Sequence, residues 1–334
     1  MGAAAIRAAL VCVATLAGLG CGGTLDAGHD RPKGLLPVDY RNPVIILQDD
    51  WSGDWLGELA LLFASTGTLT VAGVVVNSTS NYWPDLAANT AGWTNLVEAA
   101  RSSGLTNLPS ITSSTGKVLV PPSNGSIEST KPNNSEGANF IINKSRELSQ
   151  PFRPLVVVSG TSLTELADAY LLDPAVAERV VVVAALGSYK TPNGELGVPN
   201  GNVDPWATWI VSQKYPFIQV GTYYDQTTDV TAEQVASGNL PQNQLGNFMA
   251  KKQPKILTAV SACDQVALLS VALPQFAAEA ARVSADVSAG FDETKGTVLV
   301  PDQKGDDMVV TKIQGPLARS ELWRMLLDTH TFGS

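Results

Sequence analysis

The stretch Val44-Ile45-Ile46-Leu47-Gln48-Asp49-Asp50-Trp51-Ser52-Gly53-Asp54-Trp55 decides the fold. Four aliphatic residues run directly into a polar cluster with three carboxylates, and an apolar, helix-like segment, Leu56 to Ser65, follows at once. An unbroken aliphatic run suits a strand buried on both faces, as in a parallel α/β sheet. Ligands of such sheets bind beyond the carboxyl ends of the strands. Asp49, Asp50 and Asp54 fall at that end. Carboxylates this close repel one another, so a cation, a proton or a sugar hydroxyl is expected between them. The competing reading is plainer: Asp54 caps the helix, and the other two are solvated turn residues.

Outward from this stretch, strand and helix signals alternate. Leu69 to Val76 reads as a second buried strand, followed by a polar loop with Asn77, Asn81, Tyr82 and Trp83. Asp85 caps a helix running to about Ser102. Further strands are expected at Leu155–Val158, Val180–Ala184 and Phe217–Val220, and a helix at Leu163–Leu172. Asp204-Pro205-Trp206 starts another helix with its cap and N1 proline in place. Strand alternating with helix is the signature of a right-handed parallel sheet. Pro109 to Glu136, rich in Ser, Thr, Pro, Asn and Gly, reads as a long loop over the site or a disordered one. Gly187 to Val203 is a second loop, and Thr231 to Ala250 is polar and partly helical. Cys263-Asp264 opens an apolar helix ending near Pro274. Short strands follow at Asp286–Ser288, Val298–Val300 and Met308–Thr311, and a helix at Ala318–Leu327 closes the sequence.

Composition narrows the classes. Of 334 residues, 44% are hydrophobic and 16% charged, as in a globular protein. A net charge of −9 argues against a nucleic-acid partner, which needs a basic face. Beyond the N-terminus no long uncharged apolar run offers a membrane span. Residues 1–20 combine a positive charge at Arg7 with a short apolar run and read as a secretory signal peptide. They end in Ala17-Gly18-Leu19-Gly20-Cys21, similar to a bacterial lipoprotein cleavage site with Cys21 as the lipidated residue; ordinary signal-peptidase cleavage nearby is the alternative. Cys12 lies in the signal, so acylation of Cys21 leaves Cys263 alone and no intramolecular disulfide. Residues 21–42 read as a tether and 43–334 as one domain of about 290 residues, near the upper limit for a single core. The expected address is a lipid-anchored bacterial envelope protein, otherwise secreted or periplasmic.

Several motifs together resemble the inosine/uridine-preferring nucleoside hydrolases. In that family the first strand ends in Asp-x-Asp-x-Gly-x-Asp-Asp; here the matching residues are Gln48 to Trp55. Val158-Ser159-Gly160-Thr161-Ser162-Leu163-Thr164 is similar to the family's strand-to-helix turn, with Glu165 where the family has Asn. Leu172 to Arg179, Asn200 to Pro205, Ser261 to Asp264 and Val283 to Val287 match further family segments in order. The resemblance implies a Rossmann-like α/β fold: a mostly parallel sheet with helices on both faces and short extra strands near the C-terminus. It implies hydrolysis of a nucleoside's N-glycosidic bond, with Ca2+ holding the attacking water and the ribose diol, and self-association of the chain.

Carried over residue by residue, the resemblance makes Asp50 the general base and a metal ligand, Asp264 a metal ligand, and Ser159 the donor of a carbonyl to the metal. It makes Asp54 and Asn200 ribose-binding, with Asn81 or Asn77 standing in for a further ribose-binding Asn. Three departures count against this chemistry: Trp55 replaces a carboxylate ligand, Gln48 the first Asp, and Cys263 a His near the leaving base. Loss of a carboxylate weakens calcium binding. A thiol is a poor proton donor beside imidazole, and a small buried residue is the plainer reading of Cys263. Asp49, as Asp50's neighbour on an extended chain, should point the other way. Trp51, Trp55, Trp83 and Trp206 read as packing residues before stacking ones. The rival function is a surface binding protein for a nucleoside, sugar or glycan fragment.

Overall fold

The computed structural model describes residues 35–49, 51, 55–78, 84–186, 199–220, 240–256, 264–293 and 297–332. Cys21, Asp50, Asp54, Asn81, Trp83 and Cys263 therefore lie outside the described residues. The chain divides into Met1–Arg31 and Pro32–Ser334, and every described residue belongs to the second unit.

The aliphatic run forms β1 (Pro43–Gln48), buried along its whole length, and α1 (Leu56–Ser65) follows as expected. Then come β2 (Thr70–Val76), α2 (Leu86–Ser102) and the short edge strand β3 (Ile111–Ser113). The chain returns through α3 (Glu136–Leu148) to β4 (Leu155–Ser159), α4 (Thr164–Leu172) and β5 (Val180–Ala184). Two helical segments, α5 (Pro199–Val203) and α6 (Pro205–Lys214), precede β6 (Phe217–Val220). The last part holds α7 (Gln244–Ile256), α8 (Gln265–Ala272), β7 (Ala277–Ala285), β8 (Leu299–Pro301), β9 (Asp307–Ile313) and α9 (Gly315–Leu327).

The strands form one sheet in the order β3-β2-β1-β4-β5-β6-β9-β7-β8. All neighbours from β3 to β9 pair in parallel, while β7 runs antiparallel to both β9 and β8. This is the expected mostly parallel α/β sheet with extra strands from the C-terminal part. The order of connection reverses between β1 and β4: from β1 the chain winds outward through β2 and β3, then returns to lie on β1's other side. At such a reversal the loops diverge and leave a crevice beyond the strand ends.

Alternation along each strand builds two cores. Val44 and Ile46 face the cluster that includes α1, α2, α7, α8 and α9; Ile45 and Leu47 face the one with α3, α4 and α6. Helices therefore cover both faces, and the inner strands need no polar side, which is why β1, β4 and β5 read as unbroken aliphatic runs.

Four details differ from the sequence expectations or sharpen them. Leu36 and Val38, in the stretch read as tether, are buried in the core. The last-but-two strand is Ala277–Ala285, not Asp286–Ser288. Asp286 accepts from the N–H and the hydroxyl of Ser288, a local turn that ends the strand. Helix α7 begins later than the expected partly helical stretch and runs on past Ala250. Pro109 to Glu136 is described throughout and carries β3. Two buried carboxylates fasten it: Asp168 accepts from the N–H groups of Asn133, Asn134 and Ser135, and Asp204 from that of Leu119. Asn134 has a φ of 55°, which turns three successive N–H groups onto one carboxylate.

Candidate functional site

The crevice expected of this topology falls where β1 and β4 end. Gln48 closes β1 and is fully buried; Ser159 closes β4 and is followed by Gly160. A side chain at Gly160 would force its neighbours to shift, because its Cβ would sit 2.5 Å from both Asp264 Cβ and Gln48 Oε1. The bare backbone lets three distant parts of the chain meet. Gln48 Nε2 donates to Asp264 Oδ2 at 2.7 Å, joining residues 216 positions apart. Asp264 is the N-cap residue of α8, but its side chain makes no capping bond and is turned instead to Gln48.

Asn200, on α5, completes the cluster. Its Nδ2 donates to Gly160 O at 2.8 Å and Ala185 O at 3.0 Å, with a longer contact of 3.4 Å to Asp264 Oδ1. Among the described residues its Oδ1 accepts no hydrogen bond. The Ser159 carbonyl accepts from Ala185 N at 2.8 Å, and the Ser159 hydroxyl is bound within its own turn to Thr161 O. Of the residues singled out in the sequence, the structure thus brings together Asp264, Asn200 and Ser159. Asp50, Asp54 and Asn81 fall outside the described residues.

Asn77 is not arranged as a ligand residue. Its Nδ2 donates to Ser162 Oγ and Glu165 Oε2, both at 2.8 Å. Ser162 contacts Thr164 Oγ1, which donates to Asp204 Oδ2 at 2.8 Å. This chain ties the end of β2 to the start of α4 and to the cap of α6. Burial, with the like charges of Asp168 and Asp204 adding to it, pushes the Glu165 carboxyl up to about 8, so it holds its proton at neutral pH. Burial also raises Asp204, against hydrogen bonds from Ala207, Leu119 and Thr164 that favour its ionised form.

Trp55 stands where the resemblance calls for a carboxylate, and it is buried in the core. Lys252 lies over its ring, 5.5 Å from the centroid, and donates to Glu58 Oε1 at 2.7 Å. Both charged side chains are almost wholly buried, 1% and 0% exposed. A buried ion pair of this kind has no local sequence signal: Glu58 sits in an apolar helix, and Lys252 is 194 residues away. Trp206 is buried and packs edge-on against Phe291. Trp51 is half-buried against Gly92 and Phe248. Both are packing residues, as the sequence suggests.

Calcium needs six to eight oxygen ligands at roughly 2.3–2.6 Å. The described residues do not fit it. Both Asp264 oxygens face amide N–H groups, the Ser159 carbonyl is engaged in the strand ladder, and Trp55 offers no oxygen. Among the described residues no group of three or more His, Cys, Asp or Glu side chains converges to hold a metal.

No protein-family model and no curated protein sequence matches the chain. Solved structures do. A plant nucleoside hydrolase, the PpNRh1 enzyme, superposes with a TM-score of 0.64 at 14% identity, covering 85% of this chain and 99% of that one. An inosine-guanosine nucleoside hydrolase gives 0.64 at 16% identity, covering 85% and 98%. The inosine-uridine preferring nucleoside hydrolase from Bacillus anthracis gives 0.60 at 14% identity, covering 85% and 99%. Identities this low speak for shared architecture over nearly the whole length of those enzymes. In fold, the chain is a divergent nucleoside hydrolase-like protein.

Proposed function

We propose that the β1/β4 crevice binds a nucleoside or related pentosyl glycoside and that the chain hydrolyses its N-glycosidic bond. One observation carries this reading: Gln48, the Ser159-Gly160 turn, Asn200 and Asp264 come from four separate parts of the sequence and meet at the strand-order reversal. Each sits at a motif position of the family that the fold resembles. Asp50 takes the proton of an attacking water, the oxygen bonds to the anomeric carbon, and the C–N electron pair leaves with the base, which takes a proton from solvent water as it departs. The sugar passes through an oxocarbenium-like state. Asp54 and Asn200 Oδ1 accept hydrogen bonds from the sugar hydroxyls, with Asn81 as a further ribose-binding residue. Calcium, when bound, would lower the pKa of that water. The described donors do not fit it, so activation of the water is assigned to Asp50.

A second reading has its own support: Trp55, buried under Lys252, replaces a family carboxylate, and Cys263 replaces a His. It is a surface protein that binds the same ligand without turnover. Inosine, adenosine, uridine and cytidine, incubated with the chain, separate the two. Free base by chromatography and free ribose by a reducing-sugar assay, both abolished in Asp50→Asn, support hydrolysis. Binding without release supports the second reading, and neither binding nor release from any of the four, with or without calcium, overturns both. The proposal includes an envelope address through lipid on Cys21, tested by labelling with a fatty-acid analogue that Cys21→Ser should not take up.

A further inference from the structure

We infer that Gln48 and Asn200 hold the Asp264 carboxylate in place of a metal ion, so that this crevice keeps its shape and binds its ligand without calcium. The inference rests on the reading of the β1/β4 crevice as the ligand site. It concerns how that site is built, and not which glycoside enters it.

The argument begins with the oxygens. Gly160 O, Ala185 O and Asp264 Oδ1 converge on one point, and that point is occupied by the amide nitrogen of Asn200, at 2.8, 3.0 and 3.4 Å. Three oxygens of net negative charge around one centre are what a cation would otherwise need to neutralise. A side-chain amide brings two N–H donors and no formal charge, so it satisfies the two carbonyls and leans toward the carboxylate. Gln48 does the same on the far side: its Nε2 lies 2.7 Å from Asp264 Oδ2. Such charge-assisted bonds are stronger than neutral ones. Gly160 locks the arrangement, since its missing Cβ is the space in which Asp264 and Gln48 pack.

The other expected ligand positions among the described residues point the same way. The Ser159 carbonyl is bound to Ala185 N at 2.8 Å. Trp55, at the place of a carboxylate, is a partner for the buried Lys252 ammonium, whose charge Glu58 balances. Gln48 is a positioning residue, acting on a ligand through Asp264, whereas Asn200 steadies Asp264 with its Nδ2 and keeps its Oδ1 for the sugar.

The substitution Asn200→Asp tests this. It would set a carboxylate among Gly160 O, Ala185 O and Asp264, with no cation to balance them. The wild-type chain should show no heat on calcium titration and the same melting temperature in calcium and in chelator. Asn200→Asp should melt lower in chelator, recover in millimolar calcium, and bind calcium at least about tenfold more tightly than wild type, because calcium affinity follows ligand charge. Gln48→Glu, which sets a second carboxylate against Asp264, should behave likewise and serves if Asn200→Asp does not fold. If neither folds, the wild-type titration decides alone. A wild-type chain that binds calcium and is stabilised by it overturns the inference, as does an Asn200→Asp chain indifferent to calcium. Uridine binding, measured beside these in chelator and in calcium, keeps the two proposals apart. Absence of binding of inosine, adenosine, uridine and cytidine, with and without calcium, overturns the proposed function, whereas the calcium titration bears on the amide clamp alone. Uridine binding that needs calcium overturns the clamp and leaves the function standing.

Discussion

Glu165→Gln should remove a pH dependence that the fold carries inside α4. Glu165 is buried, accepts from Asn77, and is pushed up to about 8 from an ordinary 4.5. Desolvation is the main cause, with Asp168 and Asp204 adding like charge. Below pH 4.5 the carboxyl is protonated in both the folded and unfolded chains, and stability does not depend on it. Between about 4.5 and 8 the unfolded chain ionises while the folded chain keeps its proton, so stability falls as pH rises. Above about 8 the loss is complete. A shift of this size, at about 1.4 kcal/mol per pH unit, sets an upper bound of about 5 kcal/mol, and relaxation of the site will reduce it. Glutamine keeps an oxygen to accept from Asn77 and has no proton to lose. Urea unfolding at pH 5, 6, 7 and 8 should therefore show wild type losing several kcal/mol more than the variant across the series. Equal slopes in the two proteins would refute the reasoning, since Asp204 and the surface groups are common to both.

Other predictions follow from the same contacts. Lys252→Met should cost about 3–5 kcal/mol in urea unfolding, because it strands Glu58 in an apolar core; Lys252→Met with Glu58→Leu should return most of that. A double variant no more stable than the single would show that the pair is not the source of the loss. Gly160→Ala should cost about 1–3 kcal/mol by overpacking and weaken nucleoside binding, since a methyl group would fall 2.5 Å from Asp264 Cβ and Gln48 Oε1. A stable Gly160→Ala chain with unchanged binding would contradict the close approach described for β4. Asp168→Asn should loosen 133–135 without unfolding the sheet, seen as faster amide exchange at Asn133, Asn134 and Ser135, and unchanged exchange there would contradict the fastening role.

What the sequence made legible was local. Val44–Leu47, Leu155–Val158 and Val180–Ala184 are aliphatic without break because both sheet faces are covered, and nothing else explains such runs in a chain with 16% charge. Asp85 and Asp204 announce their helices because capping is a contact over three residues, to Ala88 N and Ala207 N. Ala277–Ala285 was not legible as a strand: its pattern is alanine-rich, and its extended form comes from pairing with β9. At the site, residue positions could be read and partners could not. The bonds of Gln48 to Asp264 and of Lys252 to Glu58 span 216 and 194 positions, and neither end carries a mark of the other. Asn200 was singled out in the sequence for a sugar contact, and what the sequence did not show is that its Nδ2 is spent on the protein's own carbonyls.

The most direct measurement is a calorimetric titration of uridine and inosine into wild type and Asp264→Asn, side by side in chelator. If the crevice built by Gln48, Gly160, Asn200 and Asp264 is the ligand site, wild type binds at least one of the two, and Asp264→Asn binds it at least about tenfold more weakly, a loss of about 1.4 kcal/mol or more. Equal affinity in the two chains would contradict it, as would no binding by wild type of these two nucleosides, or of adenosine and cytidine, in chelator and in calcium alike.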